Sequence, residues 1–182
     1  MDRFVAIVLI ILLSPILSLL FIVTWLNFRC TPIFCQRRTV DGHSFFVFYK
    51  IRSMHKKAPN VPTHEFVDNG EYITSWGKFL RTYSLDELMN LVSIIKGDMK
   101  FIGPRPIMDI ENELIDLRRR NGISGLAGIT GLAQINGRDE ITMQRKVACE
   151  RYYKRHHPSM SLRMMILLRT FIIVIRKSGI SH

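Results

Sequence analysis

The sequence predicts a helix-rich α+β fold: a small domain seated on a membrane by one N-terminal hydrophobic helix. Three observations predict it. Residues 4–26 contain no charged side chain. Beyond residue 80, apolar residues recur at three- and four-residue spacing, which is the period of an amphipathic helix. Residues 45–51, by contrast, are aromatic or β-branched at every position but Lys50, which suits a short strand.

The chain has 182 residues, enough for one domain with a real core. It is 47% hydrophobic, with a formal charge of +11 and a mean hydropathy of +0.11. The charge is concentrated at the ends. Residues 1–58 carry eight Lys/Arg against two acids, and residues 143–182 carry nine against one. Residues 59–142 carry nine against twelve. Basic charge beside apolar sequence suits anionic lipid headgroups, at roughly 1 kcal/mol per Lys or Arg near the surface. Nucleic acid is the rival partner for so basic a chain. Its binders seldom arrange charge around a long hydrophobic run, so no nucleic acid is expected. Cys30, Cys35 and Cys149 show no metal-ligand spacing, and free thiols are expected.

The first element, Phe4 to Leu26, is 23 residues long, about 34 Å as a helix. That exceeds a hydrocarbon core of about 30 Å. A signal peptide is disfavoured because no small-residue cleavage site follows. Ser14-Pro15 falls at the midpoint, where proline removes a backbone donor and kinks a helix. A serine hydroxyl is at hand to satisfy the freed carbonyl. Arg3 precedes the run and Arg29, Arg37 and Arg38 follow it. Two readings stay open on these grounds: a kinked spanning helix, or one that bends and returns to the side it entered from. The chain thus divides into an anchor, 1–28, and a membrane-associated domain, 29–182.

Residues 33–36 and 45–51 read as strands around a turn at Asp41-Gly42. Residues 55–75, with Pro59, Pro62 and Gly70, read as a loop. Leu85 to Lys96 reads as a helix with Leu85, Leu88, Leu91, Val92 and Ile95 on one face and Gly97 as its stop. Ile107 to Asn121 reads as a second helix. Residues 125–138 are glycine-rich. Ile141 to His156 reads as a third helix. Leu162 to Lys177 is apolar but carries Arg163, Arg169 and Arg176, which suits an interfacial helix better than a span.

Several residues are candidates for chemistry. Ser84-Leu85-Asp86-Glu87 matches the capping box, with acids placed to suit the helix dipole. The same position keeps a carboxylate ionised, ready to act as a nucleophile or to hold Mg²⁺. Arg105 stands between Pro104 and Pro106, so a stiff backbone limits the wandering of a guanidinium able to clamp phosphate. Arg81, Lys50 and Arg52 are each ordinary surface charge when taken alone. The glycine-rich stretch matches neither the P-loop nor the dinucleotide fingerprint, yet its amides are suited to approach a phosphate. Arg118–Arg120 reads as dipole-favoured charge at a helix end.

Taken in order, these pieces resemble one family, the monotopic phosphoglycosyl transferases or bacterial sugar transferases. The matching blocks are the apolar run with Ser14-Pro15, Tyr49-Lys50-Ile51-Arg52-Ser53-Met54, and Leu80-Arg81 followed by Ser84-Leu85-Asp86-Glu87-Leu88. They continue with Lys96-Gly97-Asp98-Met99, Gly103-Pro104-Arg105-Pro106 and the stretch from Gly128 to Asp139, which includes Gly137-Arg138. The ending Ser178-Gly179-Ile180-Ser181-His182 is also similar. The resemblance covers almost the whole chain, and the ordered set is far more specific than any block.

The resemblance implies a re-entrant helix with both ends cytoplasmic, on the inner membrane of a bacterium. It implies that Asp86 is the nucleophile of a dyad with Glu87, and that a UDP-sugar and undecaprenyl phosphate are the substrates. UMP would leave, and a phospho-sugar would be carried on Asp86. Mg²⁺ would bridge Asp86 and the diphosphate, with Lys50, Arg81, Arg105 and Arg138 binding substrate. Anionic lipids and downstream glycosyltransferases are the implied partners. The chain is similar to the minimal, single-domain type. It departs from the family pattern at Val40, Met89, Ala127 and Arg163. Two other readings are a non-catalytic relative that scaffolds glycan enzymes and a basic anchor that binds by charge alone.

Overall fold

The computed structural model describes residues 1–59, 61, 71–137, 141–156 and 159–176. It is a helix-rich α+β structure with two small sheets. The chain forms two compact units. The first combines Met1–Gln36 with Phe48–Gly97, and the second combines Arg37–Val47 with Asp98–Ser181.

In the first unit, α1 (Asp2–Phe28) runs unbroken for 27 residues with Pro15 inside it. Proline has no N–H to offer the carbonyl four residues back, that of Ile11. The Ser14 hydroxyl donates to that carbonyl at 2.8 Å. The helix is long and apolar enough to cross a membrane, by length and composition. One stripe is buried, through Ala6, Leu17, Leu20, Thr24 and Phe28, whereas Phe4, Leu12 and Leu19 are mostly exposed. Leu17 and Leu20 pack on Ile51 and Leu80, with Trp76, Leu85 and Leu88 around them. Trp76 Nε1 donates to Thr24 Oγ1 at 3.0 Å, which fixes the rotation of α1 on its base.

The strands β1 (Ile33–Thr39) and β2 (Phe45–Ile51) pair in a two-stranded sheet, and both pass from one unit into the other along the chain. The expected turn lies between them, but β1 continues three residues beyond the expected 33–36. Thr39 exchanges both backbone hydrogen bonds with Ile107, each at 2.9 Å, and this extends the strand. The eight-residue helix α2 (Ser75–Thr82) was not expected, because it offers too few turns for a periodicity to show. Thr74 caps it, accepting from Gly77 N at 3.1 Å. The helix expected over 85–96 splits into a 3₁₀ turn, Leu85–Met89, and α3 (Asn90–Lys96), which ends at Gly97 in the left-handed region.

The second unit is built on β3 (Met99–Ile102) and β4 (Ala127–Thr130), a parallel pair with Met99 opposite Ala127 and Ile102 opposite Thr130. Both strands are four residues long, and the sequence reading missed them. The helix expected from Ile107 begins only at Asn112, as α4 (Asn112–Arg120). Its first turn is pre-empted by the Ile107–Thr39 bridge, and Glu111 Oε1 accepts from Met108 N at 2.7 Å instead. Then follow α5 (Leu132–Ile135), α6 (Met143–Arg155) and α7 (Met160–Arg176). On α7, Ile166 is fully buried while Leu168, Phe171 and Ile175 are exposed. Thr170 meets Thr130 at 2.6 Å through the two hydroxyls, tying α7 to β4.

Glycine sets the approach of β4 to the segment after β3. Gly103 N donates to Thr130 O at 2.9 Å and Gly128 N to Pro104 O at 2.8 Å. A Cβ on Gly128 would lie 2.0 Å from Gly103 N and 2.6 Å from Thr130 O, both backbone atoms. Gly128→Ala is therefore expected to destabilise the protein by about 1–3 kcal/mol, the usual range for overpacking. Thermal unfolding in detergent, read beside wild type, measures it.

Candidate active site

The strongest cluster of functional side chains lies within the first unit. Asp86 and Glu87 sit in the 3₁₀ turn that links α2 to α3. Their side chains are only 8% and 11% exposed. Lys50, near the end of β2, reaches both. Its Nζ is 3.2 Å from Glu87 Oε1 and 3.6 Å from Asp86 Oδ2. Two adjacent carboxylates shielded from water repel each other, and one ammonium between them offsets that cost. The Phe48 ring, 5.4 Å from the same ammonium, adds a weaker attraction.

The scaffold holds that ammonium in register. Asn90, fully buried at the start of α3, accepts from Tyr49 N at 3.2 Å, which fixes the backbone one residue before Lys50. Lys96 Nζ donates to the Tyr49 hydroxyl and lies 4.8 Å from the centre of its ring. At the far end of α3, the Arg3 guanidinium lies against Gly97, cationic charge at a helix C-terminus. Asn90 Nδ2 has no hydrogen-bond partner among the described residues.

The capping box expected at Ser84 is not formed. Ser84 is in the left-handed region (φ 53°) and its side chain makes no cap bond. Its N–H, which a capping Glu87 would take, donates to Arg81 O at 3.0 Å. Glu87 is turned to Lys50 instead. The charge pairing outweighs the local motif here.

Arg81 lies in the last turn of α2, in the same unit as the dyad, and its Nη1 is 3.5 Å from Met54 Sδ. Arg52 is structural: its Nε donates to Thr31 O at 2.9 Å. Arg105 belongs to the second unit, in the loop after β3. Arg138 and the chain ending Ser178–His182 lie outside the described residues. The amide of Gly128, expected to be open to a phosphate, is taken by Pro104 O. Arg118, expected as dipole-favoured charge at a helix end, is 1% exposed and paired with Glu150. No signal in the sequence marks that pair, because its members stand 32 positions apart. The Cys149 thiol is raised above its ordinary pKa, chiefly by burial, with Glu150 adding to the shift and Arg145 opposing it. A thiol held protonated is no nucleophile.

The donor set around Asp86 suits Mg²⁺ of one kind. No group of three or more His, Cys, Asp and Glu able to hold a metal occurs among the described residues, so no all-protein cage is present there. Two neighbouring carboxylates beside a cation position fit an ion that takes one or two carboxylates and completes its shell with phosphate oxygens and water.

The profile of the bacterial sugar transferase family matches residues 1–177. The exopolysaccharide production protein ExoY of Sinorhizobium fredii is 28% identical over 98% of this chain and 85% of its own length. The UDP-glucose:undecaprenyl-phosphate glucose-1-phosphate transferase of Caulobacter vibrioides is 29% identical over 70% of this chain and 51% of its own. The UDP-N-acetylgalactosamine-undecaprenyl-phosphate N-acetylgalactosaminephosphotransferase of Aeromonas hydrophila is 35% identical over 58% of this chain. The chain spans a quarter of that last protein, 25% of its length.

Lys50→Met leaves both carboxylates without this cation. The expected result is a loss of roughly 1–3 kcal/mol in stability and a fall in turnover of about 100-fold or more. Melting and initial rates, taken on one preparation, test both. Wild-type values for the two would remove Lys50 from the site.

Proposed function

The chain belongs to the bacterial sugar transferase family, and on that premise we propose that it moves a sugar phosphate from a UDP-sugar to undecaprenyl phosphate, releasing UMP. It is a sugar-phosphate transferase, as relatives in the family are named. The observation that carries the reading is the buried Asp86–Glu87 pair held by Lys50. Two adjacent carboxylates kept from water and sharing one cation favour catalysis over a scaffold role.

The proposed mechanism has two displacements. An oxygen of the Asp86 carboxylate attacks the β-phosphorus of the UDP-sugar. The bond from that phosphorus to the bridging oxygen breaks, and UMP leaves with the electron pair. A phosphate oxygen of undecaprenyl phosphate then attacks the same phosphorus and displaces the carboxylate. The product is a polyprenyl diphosphate sugar, and Asp86 is restored. Splitting the transfer separates two bulky anions that would otherwise have to meet. Phosphoryl transfer depends mainly on positioning and on neutralising spread negative charge. Lys50 and Arg81 supply that charge from the dyad's own unit, and Arg105 and Arg138 are assigned to phosphate by their motifs. Glu87 shares Lys50 with the nucleophile and keeps the ammonium in place. Asp86, together with the diphosphate, would hold Mg²⁺, whose charge would help to offset that of the leaving phosphate.

The exposed apolar face of α1 supports membrane association. We place the protein on the cytoplasmic face of the bacterial inner membrane, with α1 entering and returning at Ser14-Pro15. Anionic lipids meet the basic ends of the chain, and downstream glycosyltransferases take the product. Labelling of a cysteine placed at position 2 is expected only from the cytoplasmic side. Labelling from outside alone would make α1 a span.

The decisive assay is UMP release from a panel of UDP-sugars, with Mg²⁺ and undecaprenyl phosphate, in nanodiscs. Wild type is expected to release UMP from at least one donor. Asp86→Asn, nearly the same shape, is expected to fold and to lose at least a thousandfold in rate. An Asp86→Asn protein that turned over normally would end the covalent mechanism.

A further inference from the structure

We infer that Arg118 and Glu150 are positioning residues for Arg105, acting through its backbone. This rests on the reading above, in which the Arg105 side chain binds phosphate.

Arg118 is buried near the end of α4, and its guanidinium is satisfied by three separate segments. Nε donates to Glu150 Oε2 at 2.9 Å and Nη2 to Glu150 Oε1, joining α4 to α6 in a bidentate pair. Nη1 donates to Val40 O at 3.1 Å, at the turn after β1. Nη2 also donates to the carbonyl of Arg105 at 2.9 Å. The side chain is 1% exposed and that of Glu150 is 4% exposed. All of these residues lie in the second unit.

A buried ion pair is weak grounds for stability, since an apolar pair of similar volume often serves as well. Its geometry says more. A guanidinium whose donors point to three fixed acceptors cannot turn without breaking one of them. One of those acceptors is the peptide carbonyl of the residue assigned to phosphate. The other side of the same loop is held as closely. Gly103 N and Pro104 O are bonded to Thr130 and Gly128, and a Cβ on Gly131 would lie 2.3 Å from Gly103 O. The backbone of the loop from Gly103 to Pro106 is thus gripped on both sides. Displacements of about 1 Å at a site cost on the order of 100-fold in rate, so such a grip bears on catalysis.

The test is a mutant cycle between the buried pair and Arg105, read by UMP release in nanodiscs. The pair is replaced by Arg118→Met with Glu150→Met, which removes the charge without leaving one unpaired. Arg118→Lys is the second variant: it keeps a cation beside Glu150 and cannot reach three acceptors, so the test stands if the double change does not fold. Either variant is expected to fold but to melt below wild type, because the carbonyls of Val40 and Arg105 lose their donor, and to lose tenfold or more in kcat/KM, with KM for the UDP-sugar rising. In an Arg105→Ala background the same change is expected to cost less than twofold. Equal losses in both backgrounds, or no loss in either, overturn the positioning role alone. Wild-type kinetics for Arg105→Ala itself overturn the phosphate role of Arg105, and the inference with it.

Discussion

Two carboxylates adjacent in sequence and mostly shielded from water are the constraint around which the first unit is arranged. Two neighbouring carboxylates repel each other, and a cation beside them offsets that repulsion. Lys50 supplies that cation, at 3.2 and 3.6 Å. That requirement propagates outward. Lys50 is on β2, so β2 has to lie along α3, and Asn90 bonds to Tyr49 N to keep it there. The turn bearing the carboxylates has to present both to one side. A 3₁₀ segment begun from a left-handed Ser84 does so, at a cost of order 1–3 kcal/mol for that backbone conformation. Strain of this kind persists where the surroundings over-determine it. Here Leu85 and Leu88 are pinned against the cluster of Leu17, Leu20, Ile51 and Leu80.

The membrane helix belongs to the same argument. Its buried stripe is part of the core under the dyad, and Trp76 holds Thr24 from α2. The helix therefore anchors the unit and also forms the floor of its site. A lipid phosphate has its reactive group at headgroup depth, while its tail stays in hydrocarbon. On the proposed mechanism, a nucleophile built directly on an apolar helix would be carried to that depth by the same free energy that inserts the helix. The Ser14 hydroxyl matters here for a local reason. It satisfies the one carbonyl that Pro15 strands, in a medium where an unpaired carbonyl costs several kcal/mol.

The sequence disclosed the parts of this protein that repeat or concentrate. The uncharged run 4–26, the aromatic strand and the longer helices were legible, because their patterns extend over several turns. Asp86 and Glu87 stood out as candidates through their position in the Ser84-Leu85-Asp86-Glu87 block, but their reading as a dyad came from the family resemblance. What escaped has a common cause. The strands at 99–102 and 127–130 are four residues each, too short for alternation to register, and they pair across 24 intervening residues. The start of α4 was misplaced because Ile107, apolar and in phase with the helix, is claimed by Thr39. Arg118 was read as dipole-favoured charge because a triplet of arginines at a helix end has an adequate local explanation. Its true partner, Glu150, is far away in sequence. The capping box failed for the converse reason: a local motif was complete, and a distant lysine overrode it.

The two cation–carboxylate clusters differ in a way that suits their places. Arg118 is a planar fork with its donors committed to four acceptor atoms in a buried position. Releasing it would leave several groups unpaired at once, so it is suited to fix a backbone and to nothing that must move. Lys50 is a compact charge on a flexible stem, 21% exposed, with two carboxylate oxygens at or beyond 3.2 Å. An ammonium held so loosely can yield to a second cation or turn to an arriving phosphate without leaving a buried hole. The reaction proposed above would load a phosphoryl group onto Asp86 and then remove it, changing the charge there twice. Such a sequence would need a counter-charge able to follow each change, which a lysine allows and a locked arginine does not.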